Sequence, residues 1–162
     1  MVVGGDEVEY KSILVAVHHD DPFSTEAVAT AKSLAARRRR AIHVLSLVSV
    51  PANLPLDAAL EEREGAAQTK VEQAKLIAGR RVSGHIEPVR PGQSGQAIVD
   101  EARSIEAAAI VMPLHYRDGA PLYGRTLKTV LAKRPCRVLV AANPAEHADA
   151  GARAPAAETV PG

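Results

Sequence analysis

The chain has 162 residues, 46% of them hydrophobic, and its 20 basic and 19 acidic residues leave a net charge of +1. With one Phe, three Tyr and no Trp the core must be aliphatic, and neither the charge nor the aromatic content suits a nucleic-acid partner. The single Cys136 excludes an internal disulfide, and no apolar run approaches the ~18 residues of a membrane span or a secretory h-region, so a one-domain cytoplasmic protein is expected.

Residues 1–9 are Gly-rich and acidic and read as a flexible lead-in. "SILVAV" (12–17) is a continuous aliphatic run, as a strand covered on both faces requires. "HHDDPFS" turns the chain, and Ser24 can cap a helix reaching Arg39, with Ala27, Val28, Ala31, Leu34 and Ala35 at helical spacing. "AIHVLSLVSV" (41–50) is a second buried strand, stopped by Pro51. A long amphipathic helix is expected from Asp57 to Ala78, with Val71, Ala74 and Ala78 inward.

"RVSGHIEPV" (81–89) alternates more and belongs nearer a sheet edge. After the turn "RPGQSG", Ser94 opens a helix with Ala97, Ile98, Ala102 and Ile105 inward. Residues Ala108 to Met112 form a fourth strand. A short helix carries Leu127, Val130 and Leu131, and "CRVLVAA" (136–142) is a fifth strand. The tail 144–162 is rich in Ala, Pro, Gly and charge without periodicity, and reads as disordered. Alternating strands and helices with long crossovers make a doubly wound α/β parallel sheet, in which ligands bind at the carboxyl ends of the strands where the winding reverses. The loops after Val17, Val50 and Met112 are therefore the ones that matter.

Four segments, "YKSILVAV", "AIHVLSLVSVP", "VRPGQSGQAIVDEARSIEAAAIVM" and "GRTLKTVLAKRPCRVLV", together resemble the universal stress protein family over about Tyr10 to Asn143. The resemblance implies one domain over 10–143, a five-stranded Rossmann-like sheet of the adenine-nucleotide alpha hydrolase type in the order 3-2-1-4-5, and in many members an adenine nucleotide. It also implies a homodimer through the last strand, here Arg137 to Ala141. The family's signature is Gly, two residues, Gly, nine residues, then Gly-Ser or Gly-Thr. This chain departs from it. Pro113 and Tyr116 hold the first two glycine positions, only seven residues separate Tyr116 from Gly124, and Arg125 follows. His18 stands where the family usually has Asp.

Glycine in such a loop lets backbone N–H groups approach a phosphate; Pro113 removes a donor and Tyr116 adds a ring. Gly124, Arg125 and Thr126 still open a helix, whose N-terminus attracts an anion. Carried over, the resemblance puts the nucleoside between Ala16, Val17, His18 and Leu47, and counts Met112 and His115 among the binding residues. A phosphate then sits on the N–H groups of Arg125 and Thr126, with Arg117 or Arg125 as counter-charge. Pro113 and Tyr116 narrow the path for a triphosphate, so AMP or a cyclic adenine nucleotide is expected to bind at least as tightly as ATP.

Other clusters carry less. "HHDD" (18–21) offers imidazole and carboxylate, but adjacent residues rarely converge on one ion and His43 and His85 lie on other strands, so no metal of its own is expected. His115 with Asp118 suggests a base and its orienting acid, but no Ser or Cys nucleophile accompanies them and Cys136 reads as buried and inert. Beyond weak ATP hydrolysis no enzyme is expected. "RRRR" (37–40) complements a helix C-terminus, or meets anionic lipid or an acidic partner. "RVLVAA" (137–142) is an apolar edge that self-pairing would cover. The expectation is a homodimeric regulatory module sensing ATP, AMP or a cyclic adenine nucleotide. The alternative is a protein-interaction module without nucleotide, regulating a membrane transporter.

Overall fold

The structure is a computed structural model that describes residues 12–22, 24–79, 81–122 and 124–142. The lead-in 1–9, Tyr10, Asn143 and the tail 144–162 lie outside them. Strands β1 (Ile13–His18), β2 (Ile42–Ser49), β3 (Val82–Val89), β4 (Ala109–Arg117) and β6 (Arg137–Ala142) are mutually parallel and lie in the order β3-β2-β1-β4-β6. A short β5 (Ala120–Leu122) pairs antiparallel with the end of β4. The five-stranded parallel sheet and its order stand as expected, with β5 as an addition.

Helices α1 (Thr25–Arg38) and α2 (Glu61–Ala78) pack on one face and α3 (Ser94–Ser104) and α4 (Arg125–Lys133) on the other. Strand alternation feeds both sides. Ile13, Val15 and Val17 join Val28, Ala31 and Val71 on the first face, and Leu14 and Ala16 join Ile98, Val99 and Leu127 on the second. This double cover is why β1 reads as an unbroken apolar run. β3 is an edge, as its polar alternation suggested. No described helix is long and apolar enough to cross a membrane.

Helix starts follow local chemistry. Ser24 caps α1, its Oγ accepting the Ala27 N–H at 3.1 Å. The second helix begins at Glu61, four residues later than Asp57, because Leu54 and Ala58 donate back to Pro51 and Pro55 in turns that use up the preceding chain. Glu61, Glu62 and Glu64 then occupy its first turn, and Glu64 Oε2 accepts the Leu60 N–H at 2.8 Å.

The largest departure from the sequence reading is at the fourth strand. It does not end at Met112 but runs to Arg117 and folds back through Asp118 and Gly119. Both turn residues have positive φ, 52° and 81°, the condition for a two-residue type I′ hairpin. The segment read as an open loop is thus a β-hairpin.

Helices α3 and α4 meet closely at Gly95. A Cβ built there would lie 2.6 Å from Thr129 Cβ and 3.1 Å from the Thr126 carbonyl oxygen. Gly95→Ala should therefore cost about 1–3 kcal/mol through overpacking. Urea unfolding checks this: a midpoint equal to wild type would mean that the two helices part freely.

Candidate functional site

β1 and β4 pair over only three residues, Ile13 to Val15 with Ala109 to Val111. Beyond that point β1 continues against β2 to His18, and β4 continues against β6 to Leu114. The strands diverge at the switch point of the sheet, and the gap is a cleft of about 620 Å³. Ala16, Val17 and His18 form one lip, and Met112, Pro113 and His115 the other. Leu47 and Ile98 line its apolar interior, and Gly124, Arg125 and Thr126 close one end.

Nine of the ten residues singled out from sequence thus surround one space. The tenth, Arg117, is in the hairpin with its backbone paired to Ala120, and its side chain lies outside the described residues. Tyr116 does not line the cleft. It packs, partly buried, against the second-face core, so the narrowing expected from its ring does not arise.

The sequence reading missed the turn before α3. Pro91, Gly92 and Ser94 line the cleft, and Arg125 Nη1 lies 2.9 Å from where a Gly92 Cβ would be. The signal was present in "RPGQSG" but nothing local says which cleft the turn faces. Two helix N-termini therefore reach this cleft, α3 at Gln93 and α4 at Gly124. Neither has a side-chain cap, and neither has an acidic residue in its first turn. Their first N–H groups are the orphan donors of a helix start, with the positive end of each dipole behind them.

The opposite lip is polar in another way. The Asp20 N–H donates to His18 Nδ1 at 3.2 Å, which makes that nitrogen the acceptor and leaves Nε2–H to donate to Ser49 Oγ at 2.7 Å. The His18 N–H donates to Asp21 Oδ2 at 3.2 Å. These bonds fix the His18 ring at the mouth of the cleft. His19 turns inward under it, 7% exposed, with Asp20 Oδ1 3.0 Å from its Nδ1 and its carbonyl accepting the buried Lys70 Nζ at 2.9 Å. Burial holds His19 below the usual histidine range; His18, Arg63 and Lys70 reinforce this and Asp20 opposes it. Cys136 lies outside the cleft lining, and burial pushes its thiol up, away from the nucleophilic thiolate.

Residues 9–142 match the family model of the universal stress protein family. No curated protein matches at a significant level. A universal stress protein from Archaeoglobus fulgidus superposes with TM-score 0.64 at 22% identity, over 86% of this chain and 98% of its own. The universal stress protein from the same organism in complex with dAMP gives 0.62 at 25% identity, over 82% and 98%. A universal stress protein in complex with cAMP gives 0.57 at 18%, over 82% and 97%, a likeness of fold alone.

The lowered His19 has a measurable consequence. Its unfolded value is the ordinary 6.5, so below that pH the unfolded chain binds protons that the folded chain refuses. Stability should be full above about pH 6.5 and decline as pH falls through the histidine range toward the lowered folded value. His43, lowered mainly by burial and then by His85, contributes with the same sign. Urea midpoints between about pH 7.5 and 5.5 should show this slope, and His19→Asn should reduce it. An unchanged slope in that variant would mean His19 is not a source.

Proposed function

The chain belongs to the universal stress protein family, and from that premise we propose that it is a regulatory module whose cleft binds an adenine nucleotide, signalling by occupancy rather than by turnover. The observation that carries the reading is the convergence of two uncapped helix N-termini and Arg125 on one end of an apolar cleft. Its 620 Å³ lies within the ~300–1,000 Å³ usual for small-ligand sites. A relative at 25% identity is in complex with dAMP, which supports the same ligand class here. The base and ribose fit the slot between Ala16, Val17, His18 and Leu47. The phosphate fits the Arg125 and Thr126 N–H groups, with the Arg125 guanidinium over Gly92 as counter-charge.

A monophosphate or cyclic nucleotide is favoured over ATP. In the family signature, flexible glycines turn backbone donors toward a phosphate chain. Here residues 115–117 pair with β5 and residues 112–114 with β6, so the ladders hold that backbone in strand geometry. The anchors that remain, the α3 and α4 starts with Arg125, converge on one end of the cleft and suit one phosphate. Calorimetry on the full chain tests this: AMP or cyclic AMP should bind at least as tightly as ATP. Arg125→Ala removes a charge-assisted contact worth ~1.5–3 kcal/mol, which is roughly ten- to a hundred-fold in affinity. If wild type takes up no adenine nucleotide at millimolar concentration, the interaction-module reading, with a membrane transporter as one partner, replaces this one.

The working unit we propose is a homodimer. β6 pairs with β4 on one side only, and Val140 on it is 43% exposed, an apolar edge that a second copy would cover by strand pairing. Because Val140 is exposed in the single chain, Val140→Asp should leave the fold intact and shift sedimentation from dimer to monomer. Wild type sedimenting as a monomer at micromolar concentration would defeat the proposal.

A further inference from the structure

A second polar cluster lies away from the cleft, on the second face near the β3 edge. Register aligns His43 of β2 with Ser83 of β3, and Leu45 with His85, so the two histidines are diagonal neighbours on one face. Their ring centroids are 4.9 Å apart, and His43 Nε2 lies 2.8 Å from His85 Nδ1. Glu101, on α3 above them, brings Oε2 to 3.5 Å from His43 Nε2. The other nitrogen of each ring is also held. Ser83 Oγ lies 3.0 Å from His43 Nδ1, and Glu87 Oε1 lies 3.4 Å from His85 Nε2.

An ordinary polar sheet edge would leave such groups to water. Here the side chains of His43 and Glu101 are only 18% and 17% exposed. Two nitrogens facing each other at 2.8 Å share one proton, with a carboxylate beside it. That is the position a cation would take. We propose that His43 Nε2, His85 Nδ1 and Glu101 Oε2 form a three-ligand site for a divalent transition-metal ion of the Zn²⁺ type, its fourth position open to water or an exogenous ligand. Two imidazoles and one carboxylate suit zinc and its neighbours rather than the all-oxygen preference of Mg²⁺ or Ca²⁺.

The surroundings match what such sites need. Glu87, an acceptor only, takes the His85 Nε2–H and leaves Nδ1 as a ligand. Ser83 Oγ holds the tilt of the His43 ring and can accept its Nδ1–H when Nε2 binds an ion, the role of an outer-shell oxygen in a histidine–metal site. The three ligand atoms lie within 4.8 Å of one another. Bonds of ~2.0–2.1 Å put two tetrahedral nitrogens about 3.3 Å apart, so the pair must open by about half an ångström. His85, 40% exposed on an edge strand, has room to turn. The histidines at 18 and 19 with Asp20 form the other cluster of this kind among the described residues, but both His18 nitrogens there are engaged by Asp20 and Ser49.

The test uses the full chain, stripped with chelator and free of nucleotide, titrated with Zn²⁺ by calorimetry and with Co²⁺ by visible absorption. One ion per chain is expected, with the strong d–d bands of four-coordinate Co²⁺. His85→Ala and Glu101→Ala should each remove that binding while circular dichroism stays native. Glu87→Gln should weaken it about 10–100-fold as a positioning change. Absence of Zn²⁺ binding in wild type overturns the proposal. So does binding that persists unchanged in both His85→Ala and Glu101→Ala, since the ion would then sit elsewhere.

Discussion

The parallel ladder between β1 and β4 stops after Val15 and Val111, while each strand goes on pairing with its outer neighbour. Two central strands that part company must leave a gap, and at the carboxyl ends of a doubly wound sheet nothing fills it but loops and helix starts. Val17 and Met112 are core residues at the two lips, held by the first-face and second-face clusters respectively. The same burial that makes β1 rigid therefore sets the position of both lips to within the tolerance of a packed core. Closing the cleft would require repacking both layers.

Magnitudes decide which part of this cleft governs an anion. A single helix N-terminus contributes about 0.3–1 kcal/mol at an exposed site. A charge-assisted hydrogen bond contributes about 1.5–3 kcal/mol. The α3 and α4 starts together are thus comparable to one good contact from Arg125, and neither is spoiled by a first-turn acid. Asp20 and Asp21 sit on the opposite lip, where they would repel a phosphate and steer it toward Arg125. Charge placement gives the cleft a polarity that the net charge of +1 does not reveal.

The hairpin after β4 changes what the backbone can offer. In a glycine loop, N–H groups are free to converge on a phosphate chain; in a ladder they bond to the neighbouring strand. Asp118 and Gly119 close the turn so tightly that His115 to Arg117 are committed to β5. Pro113 lies past the end of the β1 ladder, opposite Ala141 of β6, where a central strand tolerates it. The polar notch at the other edge of the sheet follows from the same geometry. α3 covers β2 but leaves β3 half open, so His43 meets Glu101 under the helix while His85 meets Glu87 and solvent.

Much of this was legible in the residues. Strands buried on both faces must be apolar throughout, so "SILVAV" and "AIHVLSLVSV" announced a parallel sheet, and Ser24 announced a helix start by its own hydroxyl. The strand ends then located the cleft, because in this architecture position follows from winding. The hairpin was also written locally, in Asp118-Gly119, although the apolar run before it drew the strand boundary too early. What no local signal carried was the pairing of distant residues. His43 and His85 are 42 positions apart and meet only through the β2–β3 register, Glu101 joins them only because α3 crosses that face, and Arg125 reaches Gly92 only because Gly95 lets two helices touch. Periodicity fixes which face a side chain takes, but register and helix crossing fix which neighbour it finds there, and those are set by the packing of the whole core.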